Sequence, residues 1–352
     1  MKRDVRRPIL VAVSLLVSAA CLAFFVQRVW GHRAEMVQTL RQAHYRYLVP
    51  AVGMLAVLYY IRVRRWQLFL RPLARVPIGA VASATCIGFM ANCVLPLRLG
   101  ELARPYVLHR RTRLPFGQCV ATSAGLERMF DVVGLAMIVA LASLLLRGRL
   151  LLPVSRGTTQ AVWAASGLFA VMACALVAGV AWLALAPRSF ERAGAALARL
   201  LPERWGRKAE EFLRHLTDGV RFLRDWRGIA LALLYSIEIW LAQGISTFYA
   251  ARCLGAELSL AGALAVAAAV AVAVAAPQAP AYLGPFHAAA MLAAEAFRLG
   301  RGEAGALAIL MWMVNVVPIT VVGLGFLWYE GLSLRGLAAQ SEQTEAAGEG
   351  GA

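Results

Sequence analysis

Apolar runs long enough to cross a lipid bilayer dominate the hydrophobic pattern of this chain. A spanning helix needs about 20 apolar residues. The runs lie near residues 8–26, 78–97, 117–146, 160–186, 228–250, 258–276 and 303–329, with a shorter one near 47–61. Only helices and closed barrels satisfy the backbone in lipid, and no alternating ten-residue strands are visible. The pattern therefore predicts an all-α polytopic membrane protein.

The distribution of charge predicts how these runs are arranged. The formal net charge is +17, and most Lys and Arg residues fall between apolar runs, where they act as topological signals. If the runs 78–97 and 258–297 enter the membrane and return as hairpins, 25 Lys and Arg residues are cytoplasmic and 10 lie opposite. Full crossing of 78–97 would instead place the ten basic residues of 188–227 outside. We therefore predict about six spanning helices and two re-entrant hairpins that enter from opposite faces. The protein is expected in the cell membrane, with both termini on the cytoplasmic side. Eight or more full spans are the alternative.

Composition limits the remaining organisation. Mean hydropathy is +0.66 and 61% of residues are hydrophobic, so we predict one integral membrane domain over residues 1–337. Residues 188–227 alternate apolar and charged positions and are interpreted as cytoplasmic interfacial helices, with a plain solvated linker as the alternative. The small, polar tail 338–352 is predicted to be disordered. No soluble catalytic domain, cofactor motif or metal-ligand spacing of cysteines is visible, so we expect neither enzyme activity, nor a cofactor or a metal.

The first candidate motif lies where the run 78–97 ends in charged residues. Pro96 is predicted to end the incoming helix, and Gly100 permits a tight turn. A new helix is predicted to begin near Glu101, with Pro105 in its tolerated first turn. The free amides of that helix start would favour an anion such as a phosphate.

Charged side chains flank this predicted anion site. Arg98 and Arg104 lie beside the helix start, and Glu101 is expected either to hold one arginine in place or to accept a proton. A structural ion pair that fixes a loop at the membrane interface is the alternative. Charges at the end of a broken membrane helix are costly to bury and commonly mark a ligand or ion pathway.

The second motif places three ionisable residues inside the apolar run 117–146. Glu127 and Asp131 share one helix face at i and i+4, and Arg128 reaches Asp131 at i+3. Such residues must face protein or water. We expect them to pair with Arg98 and Arg104, which would join hairpin to helix, and a proton or head-group relay is the alternative.

The third motif breaks the Ala/Val-rich run 258–276. Pro277 and Pro280 interrupt the helix, and Gly284 followed by Pro285 predicts the start of a returning half-helix. His287 lies in the first turn of that half-helix. Two roles remain open for it, a hydrogen-bonded packing residue or a proton carrier.

Together these motifs resemble the flippase-like family that includes the transmembrane region of lysylphosphatidylglycerol synthases. The resemblance extends over roughly residues 8–330. It rests on Asn92, Pro96, Arg98, Gly100, Glu101 and Arg104, then Glu127, Arg128 and Asp131, then Pro277, Pro280 and Gly284. The third motif departs from the family pattern, because Pro280-Ala281-Tyr282 and His287 stand where relatives have Pro-Gly-Gly and a glutamate.

The resemblance implies translocation or handling of a lipid without synthase activity. The predicted partner is an anionic or lipid-linked membrane lipid, and no nucleic acid is expected. The alternatives are a membrane transferase acting on a polyprenyl-sugar or hopanoid-type substrate, and a non-catalytic partner of a lipid-modifying enzyme. The candidate substrate-binding residues are Asn92, Arg98, Glu101, Arg104, Glu127, Arg128, Asp131, Pro277, Pro280, Tyr282, Gly284 and His287.

Overall fold

The computed structural model describes residues 6–95, 98–147, 226–275, 279–334 and 336–337, with the single residues Ser189, Arg192 and Ala196. The helices are α1 (Arg6–Trp30), α2 (Arg33–Arg41), α3 (Leu48–Leu70), α4 (Ile78–Val94), α5 (Gly100–Thr112), α6 (Phe116–Val120), α7 (Glu127–Arg147), α8 (Trp226–Cys253), α9 (Leu260–Ala273), α10 (Pro285–Ala296) and α11 (Arg301–Tyr329). A π-helical turn, Ala121–Leu126, joins α6 to α7. The predicted all-α polytopic membrane fold is confirmed.

Four helices of the described ranges are long and apolar enough to cross a membrane. They are Ala12–Trp30, Tyr45–Leu70, Trp226–Cys253 and Arg301–Tyr329. By contrast, α4 has 17 residues and α9 has 14. At 1.5 Å per residue these two helices are about 25 Å and 21 Å long, less than the roughly 30 Å of a hydrocarbon core. Their lengths agree with the predicted re-entrant hairpins.

Local sequence explains how the hairpin helices begin. Ser259 caps α9, because its Oγ accepts a hydrogen bond from the Gly262 amide at 3.1 Å. Pro285 is the first residue of α10 and follows Gly284 at φ +92°. The prediction for Pro105 was wrong, since α5 begins at Gly100 and this proline lies in its second turn. Pro105 therefore leaves one carbonyl near the helix start without its usual intrahelical donor.

The long helices define the two ends of the bundle. Helices α3 and α8 are antiparallel, because Arg65 Nη1 donates to Ser236 Oγ at 2.8 Å and Ser246 Oγ donates to the Ala51 carbonyl at 2.9 Å. What we call the Leu70 end contains the end of α3, the starts of α4 and α8, and the end of α11. What we call the Cys253 end contains the end of α8, the start of α9, the end of α10 and the start of α11.

Each hairpin therefore enters the bundle from a different end. The α4–α5 hairpin begins at the Leu70 end, and the α9–α10 hairpin begins at the Cys253 end. Their tips meet, because the Arg98 guanidinium donates a hydrogen bond to the Val274 carbonyl where α9 ends. Tyr282 also packs with Cys93 near the end of α4. The structure thus agrees with two hairpins that enter from opposite faces and meet between them.

One element differs in length from its prediction. The apolar run near 47–61 continues as helix α3 to Leu70, so Arg62 and Arg65 lie within the helix and not in a basic stretch after it. Arg65 has no solvent exposure. The predicted span 160–186 lies outside the described residues, and so do nearly all of 188–227, the tail and Pro277.

Candidate functional site

A polar cleft opens between α3, the α4–α5 hairpin and the start of α7. Its walls contain six of the predicted site residues, which are Asn92, Glu101, Arg104, Glu127, Arg128 and Asp131. The remaining wall residues are Arg62, Gly88, Phe89, Gly100, Ser123 and Ala124. The structure therefore brings the first two sequence motifs together in one cavity.

The close approach of α4 and α5 depends on two glycines. A Cβ added to Gly100 would lie 2.6 Å from the Asn92 amide nitrogen, and one added to Gly88 would lie 2.7 Å from Cβ of Arg104. Both distances are too short for real Cβ contacts. Small residues allow the backbones of packed membrane helices to approach closely. The first motif is thereby held against α4 with Arg104 turned toward α7.

The π-helical turn positions the second motif. Residues Ala121–Leu126 widen the helix immediately before Glu127. Trp66 Nε1 of α3 donates a hydrogen bond to Thr122 Oγ1 of this turn at 3.2 Å, which fixes the turn against α3. Single π turns inside helices occur often at functional sites, because the extra residue redirects the side chains that follow.

Each carboxylate of α7 in the cleft is shared by two arginines. Asp131 accepts from Arg62 at 3.1 Å and from Arg65 at 2.6 Å. Glu127 pairs with Arg104 and lies 3.7 Å from Arg65. The expected pairing of this motif with the hairpin is thus present for Arg104. Arg62 and Arg65 were missed, because a short apolar run followed by arginines is equally typical of a helix end.

The rim of the cleft has a third shared carboxylate. Glu101 pairs with Arg98 at 3.0 Å and also with Arg128. The predicted i+3 pair between Arg128 and Asp131 was wrong, since α3 already supplies two arginines to Asp131 and Arg128 reaches Glu101 of α5 instead. Arg98 joins this rim pair to the second hairpin through the Val274 carbonyl.

The cluster carries an excess of positive charge. Within the described ranges, five arginines face three carboxylates, which leaves a formal net charge of +2. The Glu127 side chain is 2% exposed, and Arg104 lies 4.1 Å above the Trp66 ring. Buried charges are tolerated when they are paired and hydrogen-bonded. The surplus positive charge makes an anion the complementary ligand.

Several polar atoms of the cluster lack hydrogen-bond partners among the described residues. They are Asn92 Oδ1 and the Nε atoms of Arg65, Arg98 and Arg104, all of them buried. Buried polar groups in native proteins are almost always paired, so unpaired ones call for a ligand or ordered water. The Nε donors suit phosphate or hydroxyl oxygens, and the Asn92 oxygen suits a hydroxyl donor.

Residues of the third motif lie apart from the cleft walls. His287 is buried between the rings of Phe25, Phe286 and Trp312, and its Nδ1 has no partner among the described residues. Gly284 lies against the Ser18 backbone of α1, where a side chain would not fit.

The tip of the second hairpin nevertheless reaches the first. Pro280 begins a short 3₁₀ turn that ends at Tyr282. Tyr282 packs beside Tyr59, whose ring meets that of Phe89 at 5.3 Å. Phe89 in turn lines the cleft. Tyr282 therefore lies near the cleft, separated from its wall by the Tyr59 and Phe89 rings. No cluster of three or more side chains able to hold a metal occurs in the ranges that the structure describes.

Comparison with known proteins identifies the sequence family. The family model described as "Lysylphosphatidylglycerol synthase TM region" matches residues 11–323. Over 135 residues, 38% of this chain, the sequence is 30% identical to "Glycosyltransferase AglD" of Haloferax volcanii. That match covers 21% of the relative, so the chain spans about a fifth of its length. No solved structure matches the chain.

Proposed function

The chain belongs to the lysylphosphatidylglycerol synthase transmembrane-region family, and from that premise we propose that it is a membrane lipid translocase. The head group of an anionic or lipid-linked substrate enters the cleft between α3, the first hairpin and α7. The observation that carries this proposal is the net charge of +2 among paired side chains, buried at the centre and exposed at the rim, inside a polytopic membrane protein. Intramembrane ionisable residues of this kind usually belong to a substrate or ion pathway.

The depth of the cleft supports passage of a head group. Arg62 and Arg104 each lie eight residues from the Leu70 end of their helices, α3 and α5. At 1.5 Å per residue this places them about 12 Å inside the bundle. A phosphate drawn to that depth would have crossed a large part of one leaflet while its acyl chains stayed in lipid. The paired carboxylates keep the arginines ordered when the cleft holds no substrate.

We further propose one membrane domain over residues 1–337, placed in the cell membrane with both termini cytoplasmic. Helix α1 runs toward the Cys253 end, because Arg28 near its end pairs with Glu295 near the end of α10 at 2.6 Å. Helix α11 ends at the Leu70 end, where Glu330 pairs with Arg111 at 2.7 Å. The first and last described helices therefore have their outer termini at the same end.

Translocation can be tested with the purified protein in vesicles containing phosphatidylglycerol that bears a fluorescent label. A membrane-impermeant quencher removes only outer-leaflet fluorescence, so we expect quenching to exceed the protein-free level. We expect Arg104→Gln and Arg128→Gln to slow the movement about tenfold or more, since a hydrogen bond to a charged group contributes roughly 1.5–3 kcal/mol. Arg41→Gln is the matched control, because Arg41 is exposed at the end of α2. Quenching at the protein-free level for phosphatidylglycerol and polyprenyl phosphates alike would overturn the proposal.

A second candidate function is supported by the relative from Haloferax volcanii, which is named a glycosyltransferase. In that case the same cleft would bind a lipid-linked sugar as the acceptor or product of a transferase, with Glu127 or Asp131 as base. Both carboxylates already contact two arginines each, so a substrate hydroxyl would have to displace an arginine to reach either of them. Incubating the protein with lipid-linked acceptors and nucleotide-sugar donors tests this candidate. A covalently altered lipid would favour it over translocation alone.

A further inference from the structure

We infer that the cleft selects head groups that carry a phosphate but no ammonium, and that it rejects aminoacylated lipids. This inference rests on the proposed function and narrows its substrate class. Phosphatidylglycerol and polyprenyl phosphates share the favoured chemistry, whereas lysylphosphatidylglycerol has two ammonium groups beside its phosphate. The argument depends on which acceptors the cleft offers to a positive charge.

Carboxylates are the first kind of ammonium acceptor, and those that line the cleft are already used. Among the described residues that line the cleft, the carboxylates are Glu101, Glu127 and Asp131. Each contacts two guanidinium groups. An ammonium would have to displace an arginine from its partner, and that arginine would then lie buried with less compensation.

Aromatic faces are the second kind of ammonium acceptor, and guanidinium groups already contact the rings of Trp66 and of Phe89, the aromatic residue in the cleft wall. Arg104 lies 4.1 Å above the Trp66 ring and 5.5 Å from the Phe89 ring centroid. Arg62 lies 5.2 Å from the Phe89 centroid. A ring attracts a cation through its face, so these faces are occupied by the protein's own cations.

The unpaired polar atoms favour the same substrate class. Arg104 lines the cleft, and its Nε is a donor without an acceptor in the described structure. Arg65 and Arg98 have further unpaired Nε donors but lie outside the cleft walls. Such donors suit phosphate and hydroxyl oxygens and repel an ammonium. Asn92 Oδ1 is an unpaired neutral acceptor that suits a glycerol or sugar hydroxyl but does not offset the cluster's surplus charge.

Substrate preference can be measured with the full chain in vesicles that contain one fluorescent lipid at a time. The probes are labelled phosphatidylglycerol, a labelled polyprenyl phosphate and labelled lysylphosphatidylglycerol. We expect both phosphates without an ammonium to move roughly tenfold or more faster than the lysylated lipid, because like charges brought together cost several kcal/mol. A difference between the first two probes identifies the source of the phosphate.

A substitution that adds a carboxylate to the cleft gives a second test of the preference against ammonium groups. Ala124 lines the cleft on the π-helical turn and is half-buried. We expect Ala124→Glu to narrow the ratio between phosphatidylglycerol and lysylphosphatidylglycerol several-fold, because the added carboxylate lowers the formal net charge of the cluster from +2 to +1. Ala124→Gln is the matched control, with similar size and no charge, and should leave the ratio unchanged.

Competition on the unmodified protein gives a readout that does not depend on the variants folding. Unlabelled phosphatidylglycerol should slow the movement of its labelled form, and the same amount of lysylphosphatidylglycerol should have little effect. Equal movement and equal competition by the two lipids would overturn this inference and leave the proposed function intact. Movement of none of the three probes would instead overturn the proposed function.

Discussion

Glu127 is the side chain on which the cleft depends most directly. It is 2% exposed and contacts both Arg65 and Arg104. Removing one partner of a buried ion pair typically costs about 3–5 kcal/mol, because the other charge stays buried without compensation. We therefore expect Glu127→Gln to lower the thermal unfolding temperature of the detergent-solubilised protein markedly, as followed by tryptophan fluorescence.

Glu101 provides the comparison for that measurement. Its side chain is 31% exposed at the cleft rim, where it contacts Arg98 and Arg128. Exposed ion pairs contribute about 1 kcal/mol or less, so Glu101→Gln should shift the unfolding temperature only slightly. Equal shifts for Glu101→Gln and Glu127→Gln would contradict the assignment of Glu127 as the buried centre of the cluster.

Gly100 carries a second prediction at the residue scale. A Cβ there would meet the Asn92 amide at 2.6 Å, so Gly100→Ala must separate α5 from α4. We expect lower stability and slower lipid movement, measured by thermal unfolding and the vesicle assay. Gly53→Ala is the control, because no atom lies within 4 Å of its added Cβ and alanine favours a helix by about 0.5–1 kcal/mol. Wild-type behaviour of Gly100→Ala would show that the helices tolerate separation.

Pairing between side chains was only partly predictable at this scale. Arg104 and Glu127 were expected to attract each other, since a broken hairpin and a charged helix need mutual compensation. Arg128 was assigned to Asp131 because spacing along one helix is all that a single sequence displays. The actual partners of Asp131 come from α3, about 66 residues away along the chain, and tertiary packing alone selects them.

At the scale of elements, a polar contact from Arg98 to the Val274 carbonyl joins the two hairpins. Arg98 holds a left-handed backbone conformation, φ 57°, which is uncommon for a residue with a side chain. The contact also lies at the C-terminal end of α9, where a cation is favoured by the helix dipole. Arg98 is thereby fixed between the two tips.

Separating the tips should expose Cys93, which is 6% exposed and packs with Tyr282. We expect Arg98→Ala to speed the reaction of Cys93 with a water-soluble maleimide several-fold, because fewer contacts hold the tips together. The measurement uses a chain in which Cys93 is the one remaining cysteine, and Arg98→Lys is the control that keeps the charge. An unchanged reaction rate in Arg98→Ala would mean that packing alone closes the tips.

Hairpins were predictable as elements because proline and glycine mark their turns in the sequence. The full length of α3 was not predictable, because hydropathy falls at Arg62 and Arg65. Pairing with Asp131 makes the burial of these two arginines tolerable, and the sequence alone does not reveal that pairing. The π-helical turn Ala121–Leu126 was also missed. Its small residues are ordinary for a membrane helix, and only packing against α3 distinguishes the wider turn.

The whole molecule combines these elements into a bundle with two distinct ends and hairpins that enter from each. The start of α1 and the end of α11 both lie at the Leu70 end. The orientation in the membrane is therefore decided by whether the Leu70 end faces the cytoplasm or the opposite side. Of the 25 basic residues assigned to the cytoplasmic side by sequence, Arg62 and Arg104 line the cleft and Arg65 is buried in the same ion-pair cluster, so these three are left out of the topological count. Excluding them leaves 22 against 10, which still favours a cytoplasmic Leu70 end.

That orientation predicts where reporters fused to the protein will be active. A fluorescent protein that matures only in the cytoplasm should be bright when it follows Leu337, which is buried at the Leu70 end. Alkaline phosphatase, which folds only outside the cytoplasm, should be active when inserted at Gly255, in the turn between α8 and α9 at the Cys253 end. The control exchanges the positions of the two reporters, and neither reporter should then be active. Activity in the swapped arrangement would instead place the Leu70 end outside the cytoplasm. An anionic head group that enters the cleft from the Leu70 end would then start from the outer leaflet.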